Sequence, residues 1–138
     1  MKHLARFVKI PFHQKALLIE AILLLLASKL LLTMLPFRLN KKLFKINEKR
    51  LKQANIQQLK EIQLSIERAG KIAFWSNVCL VKSVAARLML QRRGIASEIF
   101  LGVQLKGGKE ISAHAWLMSN GIFVTPRGDS AFKEIYSF

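Results

Sequence analysis

Apolar residues crowd the N-terminal third of the chain and then settle into two different periodicities. From Ala16 to Leu35 almost every position is apolar, with Glu20 and Lys29 the only charges, and Pro36 stops the run. At helical rise this segment would just span a bilayer, and the basic residues ahead of it favour a cytoplasmic N-terminus. Charges within it are unfavourable in lipid, and no small-residue cleavage site follows that would make it a secretory signal. Two readings stay open: a core or docking helix, or an interfacial or membrane helix.

Leu39 to Arg50 is rich in Lys and Asn and predicts a short helix with a solvated face. Between Asn55 and Phe74 the residues Leu59, Ile62, Ile66, Ala69 and Ala73 recur at helical spacing, with Lys60, Glu61, Glu67 and Arg68 between them, which predicts an amphipathic helix. Trp75-Ser76-Asn77 breaks the pattern, and Ser76 or Asn77 suits the cap of a further helix over about Val78 to Arg93. Gly94 is a natural stop, and Arg92 and Arg93 suit the negative end of the helix dipole.

The periodicity then changes to two. Ile99 to Leu105 and Glu110 to Met118 read as strands joined by a turn at Gly107-Gly108. Asn120-Gly121 is the strongest hairpin signal in the chain, with Ile122 to Thr125 as the returning strand. Helices first and antiparallel sheet second predict an α+β domain rather than a parallel doubly wound sheet.

A chain of 138 residues, about half of them apolar, suits one compact domain. We read a helical N-terminal extension over 1–53, packing on or docking a core over 54–138. The net charge of +15 is uneven, because residues 1–74 carry 15 basic and 4 acidic side chains while 75–138 carry 8 and 4. Such a field selects partners by sign. No Gly-Lys phosphate loop, RNA-binding aromatic signature or zinc finger accompanies it, so no nucleic-acid partner is expected. An acidic peptide or protein, or a membrane surface, ranks higher.

Cys79 is the only cysteine, which excludes an internal disulfide, and no Cys/His grouping has structural zinc spacing. It is therefore buried filler, a redox thiol or a nucleophile. In the first turn of its predicted helix, unpaired backbone N–H groups and the positive dipole end favour the thiolate. The same donors suit the oxyanion that forms when a thiolate attacks a carbonyl. His114 lies mid-strand with Ser112, Trp116 and Met118 on its face, whereas Ala113, Ala115 and Leu117 point the other way. A strand-borne imidazole facing a helix-borne thiol is the pairing that cysteine nucleophiles require. A hydrogen-bonded structural histidine is the alternative. Trp75, Asn77 and Trp116 are candidates for the wall of a substrate cleft, with core packing the alternative for both tryptophans. Arg92, Arg93, Lys106 and Lys109 are read as solvated turn and helix-end residues, with contact to an acidic peptide or a partner protein the alternative.

The runs Trp75-Ser76-Asn77-Val78-Cys79-Leu80, Val84 to Ile95, Leu101-Gly102-Val103 and Ala113-His114-Ala115-Trp116 carry a resemblance. Together they resemble the transglutaminase-like peptidase half of the lasso-peptide biosynthesis B protein, here standing alone. The apolar helix ending in Leu35-Pro36-Phe37-Arg38 is similar as well. Trp-x-x-x-Cys-Leu and Ala-His-Ala-Trp, with Cys79 and His114 35 residues apart, are specific as a pair and weak alone.

The resemblance implies a papain-like or transglutaminase-like fold and a cytoplasmic cysteine peptidase that removes the leader from a lasso precursor peptide. It implies Cys79 as nucleophile and His114 as base, with neither metal nor other cofactor. The implied partners are the precursor peptide, a separate leader-recognition protein acting in trans, and the ATP-dependent cyclase that closes the macrolactam. The alternatives are a transglutaminase-type acyltransferase with the same dyad, and a non-enzymatic, basic, membrane-docked scaffold.

The family's triad ends in an aspartate, and here the stretch after the Asn-Gly turn has no carboxylate before Asp129, the chain's only aspartate. A two-residue loop at Asn120-Gly121 pairs Ser119 with Ile122, Trp116 with Thr125 and His114 with Arg127. Thr125 and Asp129 then become diagonal neighbours of His114. Asp129 is the candidate third residue; a backbone carbonyl or the Thr125 hydroxyl is the alternative.

Overall fold

A computed structural model describes residues 8–34, 55–72, 79–127 and 132–137, without the side chain of Lys106. The predicted short helix over Leu39 to Arg50, the stop at Pro36, the caps at Ser76 and Asn77, and Trp75 and Asp129 lie outside the described residues.

Helix α1 spans Phe12–Met34, beginning a turn earlier than the apolar run suggests. Pro11 stands just before it, and its carbonyl accepts the Lys15 N–H at 3.0 Å, so the helix winds from the proline through the polar His13-Gln14-Lys15. Helix α2 spans Ile56–Ile72. Asn55 caps it, its Oδ1 accepting the Gln57 N–H at 2.9 Å. Helix α3 spans Cys79–Arg92. It ends as Gly94 predicts: with φ at 68°, Gly94 donates to Gln91 O and Ile95 donates to Leu90 O, both at 3.0 Å. This double closure satisfies carbonyls that the last turn leaves open.

Four strands follow, β1 Glu98–Lys106, β2 Glu110–Ser119, β3 Ile122–Phe123 and β4 Lys133–Ser137, in the sheet order β3-β2-β1-β4. Every pairing is antiparallel. The expected α+β order, helices then a small antiparallel sheet, is the order observed. Strand β4 was not anticipated; it joins the free edge of β1, with an irregularity between Leu101 and Gly102.

The second hairpin corrects the predicted returning strand. Asn120 and Gly121 take φ of 51° and 73°, as a two-residue turn of this kind requires. Ser119 pairs with Ile122 and Met118 with Phe123. Regular pairing then ends, two residues short of Thr125. The N–H groups of Val124 and Thr125 both point at Leu117 O, at 2.8 and 3.4 Å. Two residues now oppose one, a bulge that turns Thr125 to the other face of the sheet. The pairings of Trp116 with Thr125 and His114 with Arg127 are therefore not made.

Helix α3 occupies the centre of the molecule, packed against α1 and α2 on one side and against β2 and β1 on the other. One core cluster joins Leu17, Leu18, Ala21 and Leu25 of α1 to Leu59, Ile62 and Ile66 of α2, to α3, and to Ile99 and Leu117 of the sheet. One face of α1 is thus core. At the edge of that face sits a charged clamp: Arg93 donates to both carboxylate oxygens of Glu20, at 2.8 and 2.7 Å, and Arg92 approaches the same carboxylate at 3.3 Å. Arg93 is engaged here rather than solvated.

Candidate active site

Cys79 opens α3 and is half-buried. Its Sγ lies beside β2, where the backbone N–H of Ala115 points at it from 3.3 Å. Two sources of positive potential therefore meet at the sulfur, the start of a helix and a strand N–H. Ala115 directly follows His114, so the thiol and the imidazole are anchored one residue apart on the same strand.

The imidazole is held by a backbone carbonyl. His114 Nε2 lies 2.8 Å from the carbonyl oxygen of Pro126. A carbonyl only accepts, so Nε2 carries the proton and donates it, and in the neutral ring Nδ1 keeps the lone pair. Among the described residues the ring's hydrogen-bond partner is this backbone carbonyl, one of the two alternatives to Asp129, which lies outside them. The other is excluded, because the Thr125 hydroxyl is buried on the helix side of the sheet. There it accepts the Leu117 N–H at 2.7 Å and shares a 3.0 Å hydrogen bond with Ser83 Oγ. No hydrogen bond joins Sγ to the ring, and the alternation of β2 sets the His114 side chain with Trp116 on the face opposite Leu117, which packs toward α3, so the direct thiol–imidazole contact expected from the sequence is not made in this structure.

Aromatic packing sets the ring plane. His114 stacks against Trp116 with centroids 6.1 Å apart, and Phe132 tilts against it at 5.1 Å. Trp116 stacks in turn on Phe100 at 5.9 Å, while the Arg127 guanidinium lies 5.5 Å from its ring centre. Only 2% of Trp116 reaches solvent, so it braces the histidine as a packed residue. Of the other two cleft candidates, Trp75 and Asn77 fall outside the described residues.

Of the three further contributors, Ser83 escapes a reading of the sequence alone, while Thr125 and a backbone carbonyl are foreseen only as partners of the histidine. Ser83 stands one helical turn after Cys79 on the face toward β2, Thr125 ties that face to β2, and Pro126 supplies the carbonyl. The i, i+4 relation of Cys79 and Ser83 was the available signal. Among the described residues no three His, Cys, Asp or Glu side chains gather where a metal ion would sit.

A family model described as the transglutaminase-like superfamily matches residues 22–137. No curated protein and no solved structure matches the chain.

Proposed function

The chain belongs to the transglutaminase-like superfamily, which includes cysteine peptidases and acyltransferases, and on that premise we propose that it is the cytoplasmic leader peptidase of a lasso-peptide system. The observation that carries the reading is the juxtaposition at Ala115. Its N–H meets the Cys79 sulfur while the neighbouring His114 is held through Nε2, leaving Nδ1 as base.

In this mechanism substrate binding brings the imidazole to the sulfur, the Cys79 thiol gives its proton to His114 Nδ1, and Sγ attacks the scissile carbonyl carbon of the precursor. The negative charge passes to the carbonyl oxygen, within reach of first-turn N–H groups of α3. Collapse breaks the C–N bond as His114 protonates the leaving nitrogen, which frees the amine of the core peptide. Water then gives a proton to His114 and attacks the thioester, releasing the leader as an acid and restoring the thiol. The freed amine is the group that a separate cyclase would join to an acidic side chain, and a recognition protein would present the leader. Neither a metal nor another cofactor takes part in these steps.

Incubating a lasso precursor with the protein and its recognition partner, followed by mass spectrometry, tests this. Two fragments whose masses sum to the precursor plus one water are expected, and both Cys79→Ala and His114→Ala should reduce cleavage by a factor of at least about 10³. A folded Cys79→Ala protein that still cleaves would refute the mechanism. A crosslinked product in place of two fragments would assign the chain to the acyltransferases.

A further inference from the structure

We propose that the outer face of α1 docks on an anionic lipid bilayer, with the folded domain resting on the membrane and α1 lying in the plane of the headgroups. Phe12, Ile19, Leu23, Leu26, Leu30 and Met34 are between 40% and 87% exposed. Their spacing places them on one stripe along the whole helix. The opposite stripe, with Leu17, Leu18, Ala21 and Leu25, is core. A continuous exposed row of six large apolar side chains exceeds the scattered exposure of ordinary soluble surfaces and marks a contact face.

Charge identifies the occupant. By helical spacing Lys15 and Lys29 flank one border of the stripe, and along the other Arg92 of α3 lines a shallow depression with Ile19, Leu23 and Glu20, whose one carboxylate is shared by Arg92 and Arg93 so that this border stays net positive. In sequence the helix is bracketed by Lys2, Arg6 and Lys9 before it and by Arg38, Lys41, Lys42 and Lys45 after it. An apolar stripe edged by cations fits a surface with an apolar interior and anionic headgroups. A second copy of the chain, itself carrying +15, would instead bring like charges together along both borders.

The packing also decides between lying on the membrane and crossing it. Crossing would strip Leu17, Leu18, Ala21 and Leu25 from α2 and α3 and break the clamp between Glu20 and Arg93. Docking leaves both intact. Length and composition alone would admit a span, but one face of the helix is already occupied by its own protein.

The test is sedimentation of the full-length protein with vesicles of phosphatidylcholine, with or without one quarter phosphatidylglycerol. Binding at least about tenfold stronger to the anionic vesicles is expected, weakened but not abolished by high salt. Leu23→Gln with Leu26→Gln should weaken it about tenfold or more. Lys15→Gln with Lys29→Gln should reduce the preference for anionic lipid. Both double variants should keep the wild-type circular dichroism and cleave precursor in solution as wild type does, so this result stands or falls apart from the peptidase reading. Hydrogen exchange of α2 and α3 amides should stay protected on the vesicles.

Equal vesicle binding by the Leu23/Leu26 variant would overturn the proposal. So would a dimer that needs the stripe and ignores vesicles. Loss of α2 and α3 protection on binding would also overturn it, since α1 would then have left the core to span the bilayer.

Discussion

At Thr125 a single hydroxyl ties β2 to α3. It accepts the Leu117 N–H of β2 and meets Ser83 of α3, and the residue after it presents its carbonyl to His114. Thr125→Val keeps the shape but strands a buried N–H, which costs about 1–3 kcal/mol. It also loosens the path into Pro126. We expect a lower melting temperature and a kcat reduced about tenfold with KM little changed, whereas Thr125→Ser should restore most of both. A Thr125→Val enzyme with wild-type kcat would detach this hydroxyl from the histidine. Gly102 makes a related demand: a Cβ there would lie 2.7 Å from the Trp116 ring. Leu101-Gly102-Val103 therefore needs its glycine for the indole to lie across β1 and reach His114. The motif was visible in the sequence, but its reason was not, because that reason is a cross-strand contact.

The elements were legible to the extent that local chemistry specifies them. Asn55, Gly94 and Asn120-Gly121 each mark a boundary that the backbone respects, and the alternation around His114 separates its face from that of Ala115 and Leu117. The bulge after Phe123 was not legible, since a turn signal determines the first pairs of a hairpin and says nothing about where pairing stops. Strand β4 was missed because Lys133-Glu134-Ile135-Tyr136 is largely exposed and lacks apolar alternation; it is recruited by the edge of β1. For α1 the sequence left core and membrane readings open, and the fold makes one face core.

The clamp that fixes α1 against α3 has a pH signature. The hydrogen bond from Arg93 holds the Glu20 carboxyl below the usual glutamate range, against the opposing effect of burial. A depressed carboxylate stabilises the fold above its unfolded value and loses that contribution as pH falls through the folded one. Glu20→Gln should therefore destabilise the protein by about 1–2 kcal/mol near neutrality, and urea melts of the two proteins should converge as the medium becomes acidic. A difference that is constant with pH would show that the carboxylate's charge contributes nothing.

On the scale of the whole molecule, α3 is the organising part. It carries Cys79 at one end, a charged clamp at the other, and buries its flanks between two layers. So small a domain offers limited surface for reading a long peptide, and delivery by a tethering partner raises the local concentration of the scissile bond. Cleavage of dilute precursor should accelerate at least about tenfold when the recognition protein is added, and less as substrate approaches saturation. Equal rates at every substrate concentration would remove the partner from the reaction.

The carbonyl of Pro126 bears on how such a site can change through descent. Every amino acid supplies the same carbonyl, so no point substitution at that position deletes the acceptor. Histidine orientation of this kind leaves no conserved letter for a family comparison to find. Its vulnerability is to length instead. One residue added or removed between Gly121 and Pro126 would carry the acceptor away from the imidazole and turn Thr125 back across the sheet, even if every side chain in the segment were retained. Lineages descending from this arrangement should therefore vary freely in the identity of that residue, while the number of residues between the turn and the acceptor stays constant.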